Sequence, residues 1–423
     1  MSFEIGFYKD VITPPIGIHL AGYAHRTHGS VGIHDHLYSR SLYIGYDDKK
    51  IFIVSLDLLG VTDYIRKKVV SIVKKQIDIQ EENIVLSATH THSGPVLKGY
   101  FKNHLKEYLE ILPQKIAGTI IASYQNRKKV SEFSYSEGSV EEVIINRRAP
   151  LKGPIDPRVH LINFKTDPQN IVFLNYTSHA VVLGANNYLI SADYPGSFIK
   201  WYERITGYIA TFHNGACANI NPYTPGTDIN RVYDRNVGTF DDVDWMGSIL
   251  AFEAAKKSRL SYYTKIEQMK YFSEKIKLRR IDIPSLEELE KRYEEAKKKL
   301  NEEETLENRW NYYMARNSYF LAKKLSRRRY ITSSISALSL NDNIAIVFLP
   351  SEVFVEHQLY IKKKSPFQHT IVVGYTNDYI GYIPTRKAYE EGGYETVFPV
   401  TLLAKGSGEQ LRRYALKLLN KLR

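Results

Sequence analysis

Cysteine is nearly absent from this chain: Cys217 is the only one. An internal disulfide is therefore excluded, as is a metal site built on a cysteine cluster, and the scarcity fits a reducing compartment. Long apolar runs are absent too. Nothing approaches the roughly 18 consecutive apolar residues that a membrane-spanning helix needs. The opening residues, Met1-Ser2-Phe3-Glu4-Ile5-Gly6, have neither a basic segment nor an apolar stretch of the kind that directs secretion, so the expected location is cytoplasmic. There is no sequence repeat and no low-complexity linker. No Gly-x-Ser-x-Gly elbow frames a serine nucleophile, and no EF-hand spacing frames a calcium loop.

What is present describes a globular protein. In 423 residues, 43% are hydrophobic and 25% charged, which supports a large core and argues against disorder. A single domain over 1–423 is expected. The net charge is +12. Its one dense block, Lys323-Lys324-Leu325-Ser326-Arg327-Arg328-Arg329, closes a helical stretch, where cations complement the helix dipole. The remaining basic residues are dispersed, so no nucleic-acid partner is expected, while peripheral contact with a membrane surface stays open.

A recurring grammar runs along the chain: an apolar, β-prone run followed by a polar group. Ile51–Leu56 leads to Asp57, Ile84–Ala88 to His90 and His92, and Ile171–Tyr176 to His179. Tyr208–Phe212 leads to His213, Ile344–Leu349 to Glu352, and Thr370–Gly374 to Asn377 and Tyr382. Between them, Ile65–Lys75, Phe101–Tyr124, Tyr194–Thr206 and Trp245–Ser258 have helical spacing. The expected fold class is α/β, in a layered α+β form. A β-sheet core carries covering helices, and the polar groups gather at strand carboxyl ends. The segment 284–329 differs. After Pro284, Ser285 and Glu288 form a capping-box pattern, and Leu286, Leu289, Tyr293, Ala296 and Leu300 recur at spacings of three and four. A second helix then places Leu306, Trp310, Tyr313 and Phe320 on one side. A helical hairpin inserted in the main domain is expected, as an arm covering the core or as a lid or dimer contact.

Chemistry concentrates at Thr89-His90-Thr91-His92-Ser93-Gly94-Pro95. In an extended stretch, His90 and His92 point the same way, and Gly94-Pro95 ends the strand. Two imidazoles at a strand end suit a metal ion, most often zinc. With one cysteine available, further ligands would have to come from other strand ends, where His179, Glu352 and Tyr382 are candidates; each also reads as an ordinary hydrogen-bonded or helix-start residue, and His90 and His92 as a satisfied pair on a strand. Several other groups bear on the reading. His34-Asp35-His36 is either a second metal site or a device for packing and for orienting Arg40. Cys217 reads as a buried, inert thiol. The aspartates Asp228, Asp234, Asp241, Asp242 and Asp244 read as a solvent-facing loop, with calcium binding as an alternative.

These residues resemble the neutral/alkaline ceramidase family in its catalytic portion. The Thr89–Pro95 signature is the most specific match. Around it, in order, stand Thr13-Pro14-Pro15 with Gly22-Tyr23, Gly32-Ile33-His34-Asp35-His36-Leu37-Tyr38-Ser39-Arg40, Val54-Ser55-Leu56-Asp57 and Asn146-Arg147-Arg148. His179, Ser191-Ala192-Asp193-Tyr194-Pro195-Gly196, Leu349-Pro350-Ser351-Glu352, Asn377–Tyr382 and Tyr394-Glu395 continue the series. The resemblance implies one zinc ion per chain, held by His90, His179, Glu352 and Tyr382. It implies His92 as an oxyanion or supporting residue and Arg147 as a substrate-facing cation. The activity implied is hydrolysis of a linear amide by zinc-bound water, on an N-acyl sphingoid-like lipid or a smaller N-acyl amide. An esterase or lactonase, or a non-catalytic metal-containing binding protein, is the alternative. Two departures stand out. The family's Gly-Asp-x-Ser-Pro stretch is Ala218-Asn219-Ile220-Asn221-Pro222 here, so Asn221 replaces the serine and can orient water or an oxyanion but cannot relay a proton. The base is then Asp57, Asp193 or Glu352. The family's β-sandwich C-terminal domain and secretion signal find no counterpart in these 423 residues, so their absence is the expectation.

Overall fold

The structure, a computed structural model, describes residues 3–24, 26–97, 104–232 and 238–423. The apolar runs become strands with both faces buried, and the reason is the arrangement of three sheets. The first sheet contains β1 (Phe3–Val11), β2 (Tyr38–Tyr46), β3 (Lys49–Leu56) and β4 (Ile84–Ala88). The second contains β5 (Glu132–Ser139), β6 (Arg158–Phe164), β7 (Ile171–Tyr176) and β8 (Ile209–Asn214). The third contains β9 (Met269–Arg279), β10 (Tyr330–Leu340), β11 (Ile344–Phe348) and β12 (His369–Val373). Two-residue strands, Lys128–Lys129 and Thr264–Lys265, extend the first and second sheets beyond β1 and β5.

The three sheets share one topology. Their orders are β4-β3-β2-β1, β8-β7-β6-β5 and β12-β11-β10-β9. In each, three antiparallel strands precede a fourth that pairs parallel with the third. A parallel pair needs a crossover, and each has one helix in it: α1 (Asp63–Val73), α3 (Asp193–Thr206) or α7 (Val355–Lys364). A second helix follows each fourth strand: α2 (His104–Gln125), α4 (Phe240–Arg259) or α8 (Ser407–Leu422). The chain thus repeats one strand-and-helix plan three times without any repeat in its sequence.

One face of each sheet turns inward. Ile44, Ile53 and Val85 meet Phe164, Phe173, Ile346, Ile371 and Val373 in a core shared by all three sheets. The alternate residues pack outward under the helices. Phe52, Val54 and Leu86 join Val69, Leu112 and Ile116, while Leu174 joins Phe198 and Leu250. Val347 and Val372 join Ile361, Leu411 and Leu418. Truncating one of the shared side chains, such as Phe173→Ala, is expected to cost about 3–5 kcal/mol.

The parallel edges interlock, which brings their carboxyl ends together. Ser55 Oγ donates to the Phe212 carbonyl at 2.6 Å, and Asn377 N donates to the Leu86 carbonyl at 2.7 Å. Asn175 Nδ2 reaches the Val372 carbonyl at 3.1 Å, and Gly374 N the Asn214 carbonyl at 2.9 Å. The fold is mixed α/β with a predominance of antiparallel pairs. Among the described residues, no helix is long and apolar enough to cross a membrane.

Between β9 and β10 stands a helical hairpin, α5 (Leu286–Glu302) and α6 (Leu306–Leu325). Ser285 Oγ accepts from Glu288 N and Thr305 Oγ1 from Asn308 N, which caps both helices. Leu289, Tyr319 and Ala322 bury one side together with Tyr293 and Phe398. The stripe that the spacing placed on one side of α6 is the outer one: Leu306, Trp310, Tyr313 and Phe320 are 60%, 39%, 45% and 45% exposed. Of the residues read from the sequence, Phe101 at the expected start of α2 and Asp234 in the acidic loop lie outside the described residues.

Candidate metal centre

His90 follows β4 by two residues. Its backbone turns left-handed, with φ +67°, and its N–H donates to the Leu58 carbonyl at 3.0 Å. The turn aims the ring inward and sets Nδ1 at 2.6 Å from the Leu59 carbonyl. His179 follows β7 and is fixed the same way, with N on the Ile220 carbonyl at 2.9 Å and Nδ1 on the Cys217 carbonyl at 2.6 Å. A carbonyl can only accept, so each Nδ1 carries the hydrogen and each Nε2 presents a lone pair. Glu352 follows β11, after Ser351 at φ +65°. Its Oε2 lies 3.5 Å from His90 Nε2 and 3.3 Å from His179 Nε2. Its Oε1 accepts from the Tyr379 hydroxyl. His90, His179 and Glu352 are all buried.

Three acceptors therefore face one another without a hydrogen to share. Among the described residues, His179 Nε2 and Glu352 Oε2 have no hydrogen-bond partner. Burial pulls the His179 imidazole down to about 4, so it is neutral near pH 7. Burial also opposes charge on Glu352, but His90 and His179 outweigh it and hold the carboxyl well below the usual carboxylate range. Neutral imidazoles beside a carboxylate are the donor set of a zinc site. Ligand bonds of about 2.0–2.2 Å at tetrahedral angles separate donor atoms by roughly 3.3–3.5 Å, and the observed spacings match. The residues fit a metal ion.

His92 completes a group of three imidazoles that can each offer one nitrogen, these three lying within 4.8 Å of one another. Its Nε2 is 3.3 Å from His90 Nε2. It differs from the other two in one respect: among the described residues, its buried Nδ1 has no partner to fix the tautomer. Burial, then the proximity of two further titratable rings, His90 and His179, holds His92 well below the ordinary histidine value. Gly22, at φ +87°, lies against this ring, and a Cβ there would come within 2.1 Å of Nδ1. Tyr23 meets the ring edge-on at 5.1 Å.

Tyr382 stands beside Glu352, as its register partner in a short parallel pair. Its hydroxyl accepts from Arg147 Nη2 at 3.2 Å and lies 3.1 Å from the Tyr394 hydroxyl. Burial, then the charge of Glu352, raises its ionisation well above the ordinary tyrosine value. Arg147 was expected as a cation facing substrate. Here its guanidinium is buried, with Nη2 also on Glu395 Oε1 at 3.1 Å. Arg148 Nη1 takes the other oxygen of Glu395 at 2.9 Å. The buried Glu395 carboxylate thus locks both arginines beside Tyr382.

The remaining expected residues divide. Asn221 sits on a short strand, Ile220–Pro222, whose neighbours hold the His179 and Arg147 amides. Its Nδ2 donates to the Val232 carbonyl at 2.7 Å, and its buried Oδ1 has no partner among the described residues. Asp57 Oδ2 accepts from Arg40 Nη1 at 2.7 Å and from Tyr38 N at 2.8 Å. Asp57 therefore orients Arg40. Asp193 accepts backbone amides of Val182, Leu183 and Tyr194 at 3.2, 3.0 and 2.7 Å, which fixes the loop after His179. Asp35 is held by His34 Nδ1, Ser191 Oγ and Ala192 N, while His36 Nδ1 lies on Thr13 Oγ1, so the three residues have separate partners. The Cys217 thiol is buried and pushed well up from its ordinary value. Two contributors were not singled out in the sequence. Tyr379 anchors Glu352, and Tyr375 stacks on His90 with centroids 4.1 Å apart.

Residues 3–227 match the family described as neutral/alkaline non-lysosomal ceramidase, N-terminal. The chain is 25% identical over 232 residues to neutral ceramidase 1 of Arabidopsis thaliana, covering 48% of this chain and 29% of that protein. It is 24% identical over 252 residues to the neutral ceramidase of Pseudomonas aeruginosa, covering 52% of this chain and 37% of that protein. The crystal structure of neutral ceramidase from Pseudomonas aeruginosa superposes with a TM-score of 0.77 at 18% identity, covering 100% of this chain and 75% of that one. The similarity in sequence thus spans about a third of the curated relatives, and the likeness in fold spans the whole of this chain.

Proposed function

The chain belongs to the neutral/alkaline non-lysosomal ceramidase family, and on that premise we propose that it is a zinc-dependent hydrolase of a linear amide. The substrate class is an N-acyl sphingoid-like lipid or a smaller N-acyl amide. One observation carries the reading: the buried Glu352 Oε2 faces two buried imidazole nitrogens, His90 Nε2 at 3.5 Å and His179 Nε2 at 3.3 Å. These three residues would hold one zinc ion, with the Tyr382 hydroxyl as the neighbouring fourth group. When bound, the ion supplies Lewis acidity, polarising a carbonyl and lowering the pKa of a bound water towards about 7.

The chain's own residues supply the rest. Leu59 and Cys217 carbonyls fix the tautomers of His90 and His179, and Tyr379 fixes the rotation of Glu352. His92 Nε2 faces His90 Nε2 at 3.3 Å and no carbonyl pins its ring, so with His90 engaged by the ion a hydrogen on His92 Nε2 would be free to donate to a carbonyl oxygen as negative charge develops there. Loss of one such donor typically costs about 100- to 1,000-fold in rate. Arg147 acts through Tyr382, holding its hydroxyl and keeping positive charge close to the reacting group. Asn221 offers an amide oxygen where a hydroxyl would otherwise stand, which suits orientation of water and excludes a serine-type relay. Asp57 and Asp193 are engaged in shaping the site, which leaves Glu352 and His92 as its proton-handling groups.

A chain-length series of N-acyl sphingosines, with matched ester analogues, tests the reading. Amide cleavage that a chelator abolishes and zinc restores is expected. A zinc-loaded protein that cleaves only the esters, or neither series, would overturn it.

A further inference from the structure

Helix α6 has two apolar faces. Tyr319, Ala322 and Leu325 form the buried one. Leu306, Trp310, Tyr313 and Phe320 form the other, and it faces solvent. Their spacing of four, three and seven keeps them on a single stripe. A scattered exposed aromatic needs no explanation, but a contiguous stripe on one helix marks a surface that meets something. Trp310 and Tyr313 are themselves neighbours, with ring centroids 6.2 Å apart.

Charge selects the occupant. Arg316 and Lys323 lie seven residues apart on one flank of the stripe, and Lys324 follows in line with it. Arg327, Arg328 and Arg329 come directly after. The acidic residues of α6 and the turn before it, Glu303, Glu304 and Glu307, lie at the opposite end, and the other glutamates of the hairpin are on α5. A helix face that joins aromatic and aliphatic side chains to a basic end is the pattern of an interfacial helix, which sets its rings at headgroup depth and its cations on anionic lipid. The net charge of +12 acts in the same direction.

The hairpin also adjoins the metal centre. Phe398 packs with Leu289 and Tyr319, three residues beyond the Glu395 that holds Arg147.

We propose that the outer face of α6, from Leu306 to Phe320 with its basic end, docks on an anionic lipid surface. The inference rests on the exposed face and not on hydrolysis, so it can be tested on vesicles that contain no amide lipid. Zinc-loaded protein is sedimented with phosphatidylcholine vesicles with and without phosphatidylserine, at low and high salt. Strong binding to the anionic vesicles is expected, at least tenfold weaker in high salt or on phosphatidylcholine alone. Binding should also be at least tenfold weaker in the double variant Trp310→Ser/Phe320→Ser. Trp310 fluorescence should shift to the blue on binding. Both substitutions are at exposed positions, and an unchanged melting temperature would verify the fold. Equal vesicle binding by the double variant, or no binding by the native protein, would overturn the proposal. So would self-association that the double variant abolishes in the absence of vesicle binding, which would assign the face to a second copy of the chain.

Discussion

His179 Nε2 and Glu352 Oε2 stand 3.3 Å apart with no hydrogen-bond partner among the described residues. The Cys217 carbonyl takes the Nδ1 hydrogen of His179, and the Tyr379 hydroxyl takes the far oxygen of Glu352. Both residues are thereby oriented by groups outside the centre, and each offers a lone pair to the same point. Buried polar groups are nearly always satisfied, and a cation between two facing acceptors satisfies both at once.

Tyr379→Phe removes the hydroxyl that orients Glu352 and nothing else. Metal affinity is expected to fall by about 10- to 100-fold, as for other groups that support a ligand. Competition with a chromophoric chelator measures it. Unchanged affinity would mean that Glu352 is held without Tyr379.

Gly22→Ala separates metal binding from turnover. A Cβ would meet His92 Nδ1 at 2.1 Å, on a backbone at φ +87° that disfavours any side chain. Displacing His92 is expected to lower turnover about a hundredfold, the scale seen for a misplacement of about 1 Å. Zinc content should stay at one per chain. Loss of zinc along with activity would place His92 among the ligands.

Lys362, in the last turn of α7, has a buried side chain whose Nζ donates to Asp156 Oδ2 at 2.7 Å. Gln358 Nε2 donates to the same oxygen at 2.7 Å and to Thr177 Oγ1 at 2.8 Å, two residues before His179. Asp156→Ala leaves a buried cation without its carboxylate. A loss of about 3–5 kcal/mol is expected, from the midpoint of urea unfolding. A loss below about 1 kcal/mol would show that the cluster is open to solvent.

Acid should destabilise the fold through its buried histidines. Burial pushes His213 down to about 3 and His357 to about 4. The unfolded chain takes up protons near pH 6.5, while the folded chain does so only at these lower values. Their stabilisation is complete above pH 6.5 and is lost progressively as pH falls towards 4. Each contributes a slope of about 1.4 kcal/mol per pH unit in that window. His213→Gln should reduce the slope by one proton, as read from unfolding midpoints between pH 6.5 and 4.5. An unchanged slope would mean that His213 is already protonated in the folded state.

Strands β3, β4, β7, β8, β11 and β12 were legible because both of their faces are buried, which leaves an unbroken apolar run. Strands β1, β5 and β9 were not, since solvent reaches alternate positions such as Tyr8 and Phe272 and admits polar residues among the apolar ones. The threefold plan is a property of pairing order, which composition does not record. At the site, His90, His179 and Glu352 were legible because each closes an apolar strand. Tyr379 was hidden by its neighbours. In Asn377–Tyr382 two tyrosines stand three residues apart, and only the turn at Gly381, with φ +82°, sends Tyr379 to Glu352 and Tyr382 to Arg147. The outer stripe of α6 misleads for a related reason: apolar periodicity marks a face but does not say which side of the helix is covered.

The central claim is the metal centre, and the metal content of the purified protein tests it most directly. It should be measured for the native chain and for His90→Ala and His179→Ala. The account predicts one zinc per native chain and none in either variant, with folding retained. A native protein that holds no metal even after incubation with zinc, or variants that keep it, would contradict the account.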